Sequence, residues 1–152
     1  MAGKALVAVG FAFLAVVAFQ GILAAVLYPS TSPGGPADAG WLGDLAAVAL
    51  RGGALAAIAA GLGFAVAGIS RNTAASIGAG FAYLLLVENF LAFLRPGLTR
   101  WLFIPNAGAL VAGGDFGDLV GRSALEAGLL LAAYASVALV AAFALFRARD
   151  VA

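Results

Sequence analysis

Glu88 and Arg51 are the two side chains of this sequence whose chemistry fits their neighbours least. Glu88 stands inside YLLLVENFLAFLRPG, residues 83–97, and Arg51 inside a long Ala- and Gly-rich apolar run. An ionised group at the centre of a membrane helix disfavours insertion by about 2.5–3.5 kcal/mol, whereas each Leu returns only about 0.3–0.6. A carboxylate in that position must be neutralised by a partner, carry protons, or line a polar path. Each residue lies about seven positions from the same end of its helix, roughly 10 Å at 1.5 Å per residue. The spacing therefore predicts that Arg51 and Glu88 meet at one depth on neighbouring antiparallel helices and form an ion pair. Gln20 reaches a similar level and Asn89 follows Glu88 directly, so the two amides are expected to satisfy the remaining hydrogen-bonding sites of a polar layer. The plainer interpretation is a bridge that only locks the bundle, with Arg51 snorkelling to the headgroups; the functional one makes the layer part of a substrate path or coupling element.

Little other chemistry is open to the chain. With no Cys and no His it has no thiol nucleophile, no imidazole acid–base group, no disulfide and no ordinary zinc, copper or haem ligand set. Glu88 and Glu126 do not make a paired, pocketed constellation, so no catalytic residue and no metal site are assigned. RGGALAAIAAG and GAGFAYLL sit within apolar runs and no G-K-[ST] occurs, which excludes a P-loop or dinucleotide fingerprint; no cofactor is expected. Eight basic and seven acidic residues are scattered along the sequence, so no basic stripe exists for nucleic acid.

The elements that must position these residues are membrane helices. Of 152 residues 64% are hydrophobic and 10% charged, against about 25% charged in a typical soluble domain. Seven Arg against one Lys, with abundant Ala and Gly, match a GC-rich bacterial composition. A span needs about 20 apolar residues, and four stretches qualify: 5–28, closed by Pro29 and a Pro/Gly/Ser loop; 44–69, with Asp44 as N-cap; 73–94, stopped by RPG; and 123–146, opened by a Ser123/Glu126 capping box. The first is too long for the core of a cleaved signal peptide, the rival interpretation. SRNT, with Arg71 and Asn72, is a turn short enough to force an antiparallel hairpin between the second and third spans. Residues 95–122 are too long for a link and too polar for a fifth span; they predict two short helical pieces lying in or dipping into the interface, the second opened by Pro105. The expected fold is thus all-α, a single transmembrane domain of four helices plus a short helical segment at one face.

Four spans put both termini on one side. If that side is the cytoplasm, it holds Lys4, Arg71, Arg147 and Arg149 against Arg95, Arg100 and Arg122 outside, which follows the positive-inside rule by one charge. Tyr28, Trp41 and Trp101 all fall at the opposite face, where amphipathic rings favour the headgroup level. Ala49, Gly53, Ala57, Gly61 and Ala65 form a small-residue ridge every four positions along the second span and mark a close helix contact. Gly78 and Gly80 could admit a partner or a kink in the third, and the hydroxyls of Tyr83 and Tyr134 require partners in the bundle interior.

Three patterns occur in order: GK before the first span, GFAVAGISRNTAASIGAGFAYLLLVENFL through the hairpin and third span, and a last helix SALEAGLLLAAYASVALVAAFALFRARDVA after a Gly/Asp-rich stretch. This succession resembles the integral-membrane permease subunit of type 2 ABC transporters, with SRNTAA at a cytoplasmic hairpin, VEN in the outer half of the next helix and the Y…F.RARDV ending as its strongest elements. The resemblance implies that the four spans correspond to the last four of a six-helix permease with cytoplasmic termini in the inner (plasma) membrane, and that residues 95–122 match an outer re-entrant hairpin. It implies two protein partners besides the lipid bilayer, a second permease copy and a separate ATP-binding subunit, and export as the activity. The helices that would contact the ATPase lie upstream of Met1 in that alignment, which carries the expectations that Met1 marks a truncation or internal start and that the chain does not transport alone. Two other functions remain open on the residues themselves: a four-helix membrane scaffold or assembly protein, and a proton-coupled carrier using Glu88.

Overall fold

The computed structural model describes residues 2–31, 39–70, 72–114 and 120–150. Its elements are α1 (Ala2–Thr31), α2 (Ala39–Ser70), α3 (Thr73–Ala82), a π-helical turn (Tyr83–Val87), α4 (Glu88–Leu94), a 3-10 turn (Pro96–Trp101), α5 (Phe103–Ala112) and α6 (Ala124–Asp150). Four helical stretches among the described residues are long and apolar enough to cross a membrane: Gly3–Ala24, Gly40–Ser70, Ala74–Leu94 and Ala124–Ala148. The third is the continuous run of α3, π turn and α4. Their outward faces are apolar: Leu6, Phe11, Leu14 and Phe19 on α1 and Leu125, Leu129, Val137 and Val140 on α6 are all well exposed. A surface of that kind belongs against acyl chains.

Two helix boundaries differ from the sequence expectation. Proline at position 29 does not end α1, which continues to Thr31; in a last turn it removes a single ladder bond with little helix left to break. Asp44 does not cap α2, because the helix already starts at Ala39 and Asp44 is an exposed residue of its second turn.

α2 is the central helix. α1 lies along it, α6 packs on it as well, and α5 fills the wedge between α2 and α6. The ridge of small residues explains the approach on both flanks. A Cβ on Gly53 would sit 2.8 Å from Phe13 and Val17 of α1, and one on Gly61 would touch Leu139 and Ala135 of α6 and Val9 of α1. Ala49 and Ala65 of the same ridge are buried. The densest cluster joins Ala109 and Leu110 of α5 to Val120 and to Ala127 and Leu131 of α6, with Leu55 and Ile58 of α2 packed against it.

The short α2–α3 connection expected from SRNT is present, and its own polar residues tie it. Asn72 accepts a hydrogen bond from the Ala75 N–H at 3.1 Å and caps α3. The Ser76 hydroxyl donates to the Asn72 carbonyl at 2.8 Å and meets the Ser70 hydroxyl at 2.5 Å. Arg71 lies outside the described residues. Beyond the hairpin α3 leans from α2, leaving a cleft of about 400 Å³ lined by Gly63, Ala67, Ser76, Ile77, Gly80, Phe81 and Leu84. Among the described residues nothing lies within 4 Å of a Cβ built on Gly78 or Gly80; the irregularity of this span is the π turn that follows them.

Candidate functional site: a short helix between a buried carboxylate and a guanidinium

Residues 95–114 fold back on the bundle. From the end of α4 the chain makes the 3-10 turn and then returns as α5, antiparallel to the first half of α6. The Tyr134 hydroxyl of α6 donates to the Trp101 carbonyl at 2.9 Å near the start of α5, Gly128 packs on Leu110, and Gly114 lies beside Ser123 and Ala124 at its far end. The ten residues of α5 span about 15 Å, half a bilayer core. The two short helical pieces expected here are present as the 3-10 turn and α5, the second returning along α6.

A short helix in an apolar setting must satisfy the donors of its first turn without water. Glu88 does this from α4. Its carboxylate, 2% exposed, accepts the N–H of Phe103 at 2.6 Å and of Ile104 at 2.8 Å. The third residue of α5 is Pro105, which has no N–H to satisfy. A negative charge against a helix N-terminus is also favoured by the helix dipole. Proline does not open the helix, as its position in the sequence suggested; it occupies the one first-turn position the carboxylate leaves over.

The predicted ion pair is not formed. Arg51 sits at the opposite end of the same helix: α5 stops at Gly113, whose φ of +95° is left-handed, and a Cβ there would lie 2.5 Å from Nη1 and 3.2 Å from Cζ of Arg51. A guanidinium beside the last carbonyls of α5 is stabilised by the negative end of its dipole. The equal depth inferred for the two charges rested on counting residues from the outer end of each helix. α2 begins at Ala39, twelve residues before Arg51, whereas Glu88 is six residues from Leu94, and each charge approaches an end of α5 in place of the other charge.

The amides are likewise placed apart from the expected network. Asn89 is exposed on the outer face and donates to the carbonyls of Leu84 and Leu85 at 3.3 and 2.9 Å. Within the π turn the Glu88 N–H reaches the Tyr83 carbonyl, five residues back, and Asn89 occupies carbonyls that the altered ladder exposes. Gln20 packs its Nε2 against Gly52 of α2, and its Oε1 is buried with no hydrogen-bond partner among the described residues. Of the four members of the predicted layer, Glu88 and Arg51 share α5 as a target and Gln20 and Asn89 serve α2 and the π turn.

Composition and spacing did not single out Asn106. Fully buried, it donates from Nδ2 to the carbonyls of Arg100 at 3.0 Å and Leu102 at 2.7 Å, and its Oδ1 accepts from Arg122 Nη1 at 3.3 Å. Arg122 Nη1 also donates to the Arg100 carbonyl. The available signal was a lone amide in IPNAG within an otherwise apolar stretch. Tyr83, half exposed, brings its hydroxyl into the range of Glu88 and of Tyr134. At the start of α6 the capping box is formed: the Ser123 N–H donates to Glu126 at 2.9 Å and the Glu126 N–H to the Ser123 hydroxyl at 3.3 Å. Trp41, in the first turn of α2, is partly buried, Trp101 is 47% exposed, and Tyr28 falls in the last turn of α1 with its side chain outside the described residues.

Chemically this site is a clamp. Its carboxylate is spent on two backbone donors and its guanidinium faces a helix end, so what it can do is hold or release α5. No family model matches the chain, and neither a curated protein nor a solved structure matches it.

Proposed function

We propose that this chain is the membrane-spanning permease subunit of an ABC-type exporter, or the C-terminal portion of one, working with a second copy of itself and with ATP hydrolysed by a separate subunit. The observation that carries the proposal is α5, a half-membrane arm clamped by charge at both ends beside the α2–α6 core. Such an arm can shield one end of a pathway and move as a unit when α2 and α4 move. The resemblance of SRNTAA, VEN and the RARDV ending to type 2 ABC permeases supports the same function. In this proposal the termini are cytoplasmic, α5 lies at the outer face of the inner membrane, and the chain has no catalytic site of its own.

The proton-carrier alternative is disfavoured, since Glu88 is buried and already accepts two N–H groups. A test is to purify the tagged chain from its source cells and reconstitute it with whatever co-purifies. The permease function requires a stoichiometric ATP-hydrolysing partner and ATP-dependent export from the vesicles. A chain isolated without such a partner, from cells in which its deletion alters assembly of another membrane protein, would instead establish the scaffold.

A further inference from the structure

The 3-10 turn brings together the one cluster of cationic side chains described outside the clamp. Trp101 ends the turn, half exposed, and the guanidinium carbon of Arg122 lies 4.6 Å from its ring centroid and that of Arg100 5.6 Å. Both are within the range at which a cation is attracted to an indole face. The cluster is fixed from behind. Arg122 is tethered through Nη1 to the Arg100 carbonyl and to the fully buried Asn106, while the Trp101 carbonyl accepts from Tyr134. Among the described residues no carboxylate forms a direct ion pair with either guanidinium; Glu126, held in its capping box, lies within electrostatic range of Arg122.

Two like charges gathered on one ring repel each other, and an anion beside them relieves that repulsion. The kind of anion follows from position. The turn comes directly after α4, the end of a membrane span, so the shelf stands where hydrocarbon gives way to headgroups. A guanidinium held by one nitrogen still presents a fork of N–H donors suited to phosphate oxygens. An exposed indole beside it suits the glycerol and upper acyl region.

We propose that Arg100, Trp101 and Arg122 form a binding site for the phosphodiester headgroup of an anionic phospholipid. The site does not depend on the transport proposal: it requires only that the chain resides in a bilayer, and it is the same whichever leaflet the turn faces. Occupancy would tie the lipid to Asn106 and so to α5.

The test is native mass spectrometry of the intact chain in detergent, titrated with phosphatidylglycerol, with phosphatidylcholine and with inorganic phosphate. Phosphatidylglycerol is expected to bind about tenfold more tightly than phosphatidylcholine. Arg100→Gln and Trp101→Leu should each weaken it by about fivefold or more at unchanged thermal unfolding. Arg100→Lys should retain part of the affinity. Arg122→Gln is a weaker probe, because it also loosens Asn106, and it is read only beside the other two. Equal binding of the two lipids, or wild-type affinity in both Arg100→Gln and Trp101→Leu, would overturn the site. Displacement of phosphatidylglycerol by inorganic phosphate at equal concentration would also overturn it, by showing that the shelf takes a free anion.

Discussion

Glu88 and Arg51 face the two ends of one ten-residue helix, the carboxylate at the N–H groups of Phe103 and Ile104 and the guanidinium at Gly113. The N-terminal donors of α5 are satisfied by Glu88 of α4, while its C-terminus is closed by the Gly113 and Gly114 N–H groups on the Ala109 carbonyl, with the Arg51 guanidinium of α2 beside it. Where an ion pair would connect two helices, this arrangement connects three. It also makes opposite demands on the two residues, because each end of a helix accepts one sign of charge.

That difference separates a clamp from a salt bridge. Exchanging the charges, Arg51→Glu with Glu88→Arg, would preserve a salt bridge between two paired side chains but puts the wrong sign at both ends of α5. The double variant is therefore expected to be less stable than either single one, as read from thermal unfolding in detergent. Recovery of wild-type stability in the double variant would show that the two side chains act on each other.

Glu88→Leu leaves two N–H groups unsatisfied in an apolar setting, a loss of about 3–6 kcal/mol if each bond to the charged group contributes about 1.5–3. Glu88→Gln keeps one acceptor oxygen and should lose about half as much. Amide hydrogen exchange should accelerate first at Phe103 and Ile104. Unchanged protection there in Glu88→Leu would contradict the capping role.

Gly113→Ala meets two obstacles, a left-handed φ and the Arg51 guanidinium. The backbone term alone is about 1 kcal/mol. Adding Arg51→Ala should recover only the steric part, so the double variant is expected to remain below Arg51→Ala in unfolding temperature.

Asn106→Leu conserves bulk while leaving the carbonyls of Arg100 and Leu102 without the amide and Arg122 without its side-chain acceptor. The expected loss is about 1–3 kcal/mol, larger than that of Asn89→Leu. Asn89 is exposed, and its removal affects carbonyls of its own helix only. Parallel urea or heat titrations of the two variants check the order.

The α1–α2 contact can be followed by crosslinking, because the chain has no cysteine of its own. A Cβ on Gly61 would lie 3.9 Å from Val9, so Val9→Cys with Gly61→Cys should form a disulfide on mild oxidation. Gly53→Val, which collides with Phe13 and Val17, should abolish the crosslink. A crosslink formed at the same rate in that background would mean that α1 docks elsewhere.

Much of the framework was legible because it depends on short-range rules. Apolar length gave four spans, SRNT the hairpin, Ser123 and Glu126 the capping box, and the four-residue spacing of Gly53 and Gly61 the face that α1 and α6 use. What sequence periodicity did not carry was the partner of each charge. The equal depth came from placing the outer end of α2 at Asp44, and the helix runs five residues further, to Ala39. The acceptors and donors that matter for Glu88, Asn89 and Asn106 are main-chain groups, which every residue has and no residue name reveals. Asp44 failed as a cap for the related reason that cap preference is weak beside an apolar run able to extend the helix further.

The π turn between α3 and α4 amounts to one surplus residue wound into a membrane rod. Rewinding the turn as regular α-helix with every residue kept would rotate everything beyond it by about 100°. Glu88 would then swing away from Phe103 and Ile104 while α2 and Arg51 stayed where they are. A single-residue slip in one helix is enough to unlatch the arm at one end and leave it hinged at the other.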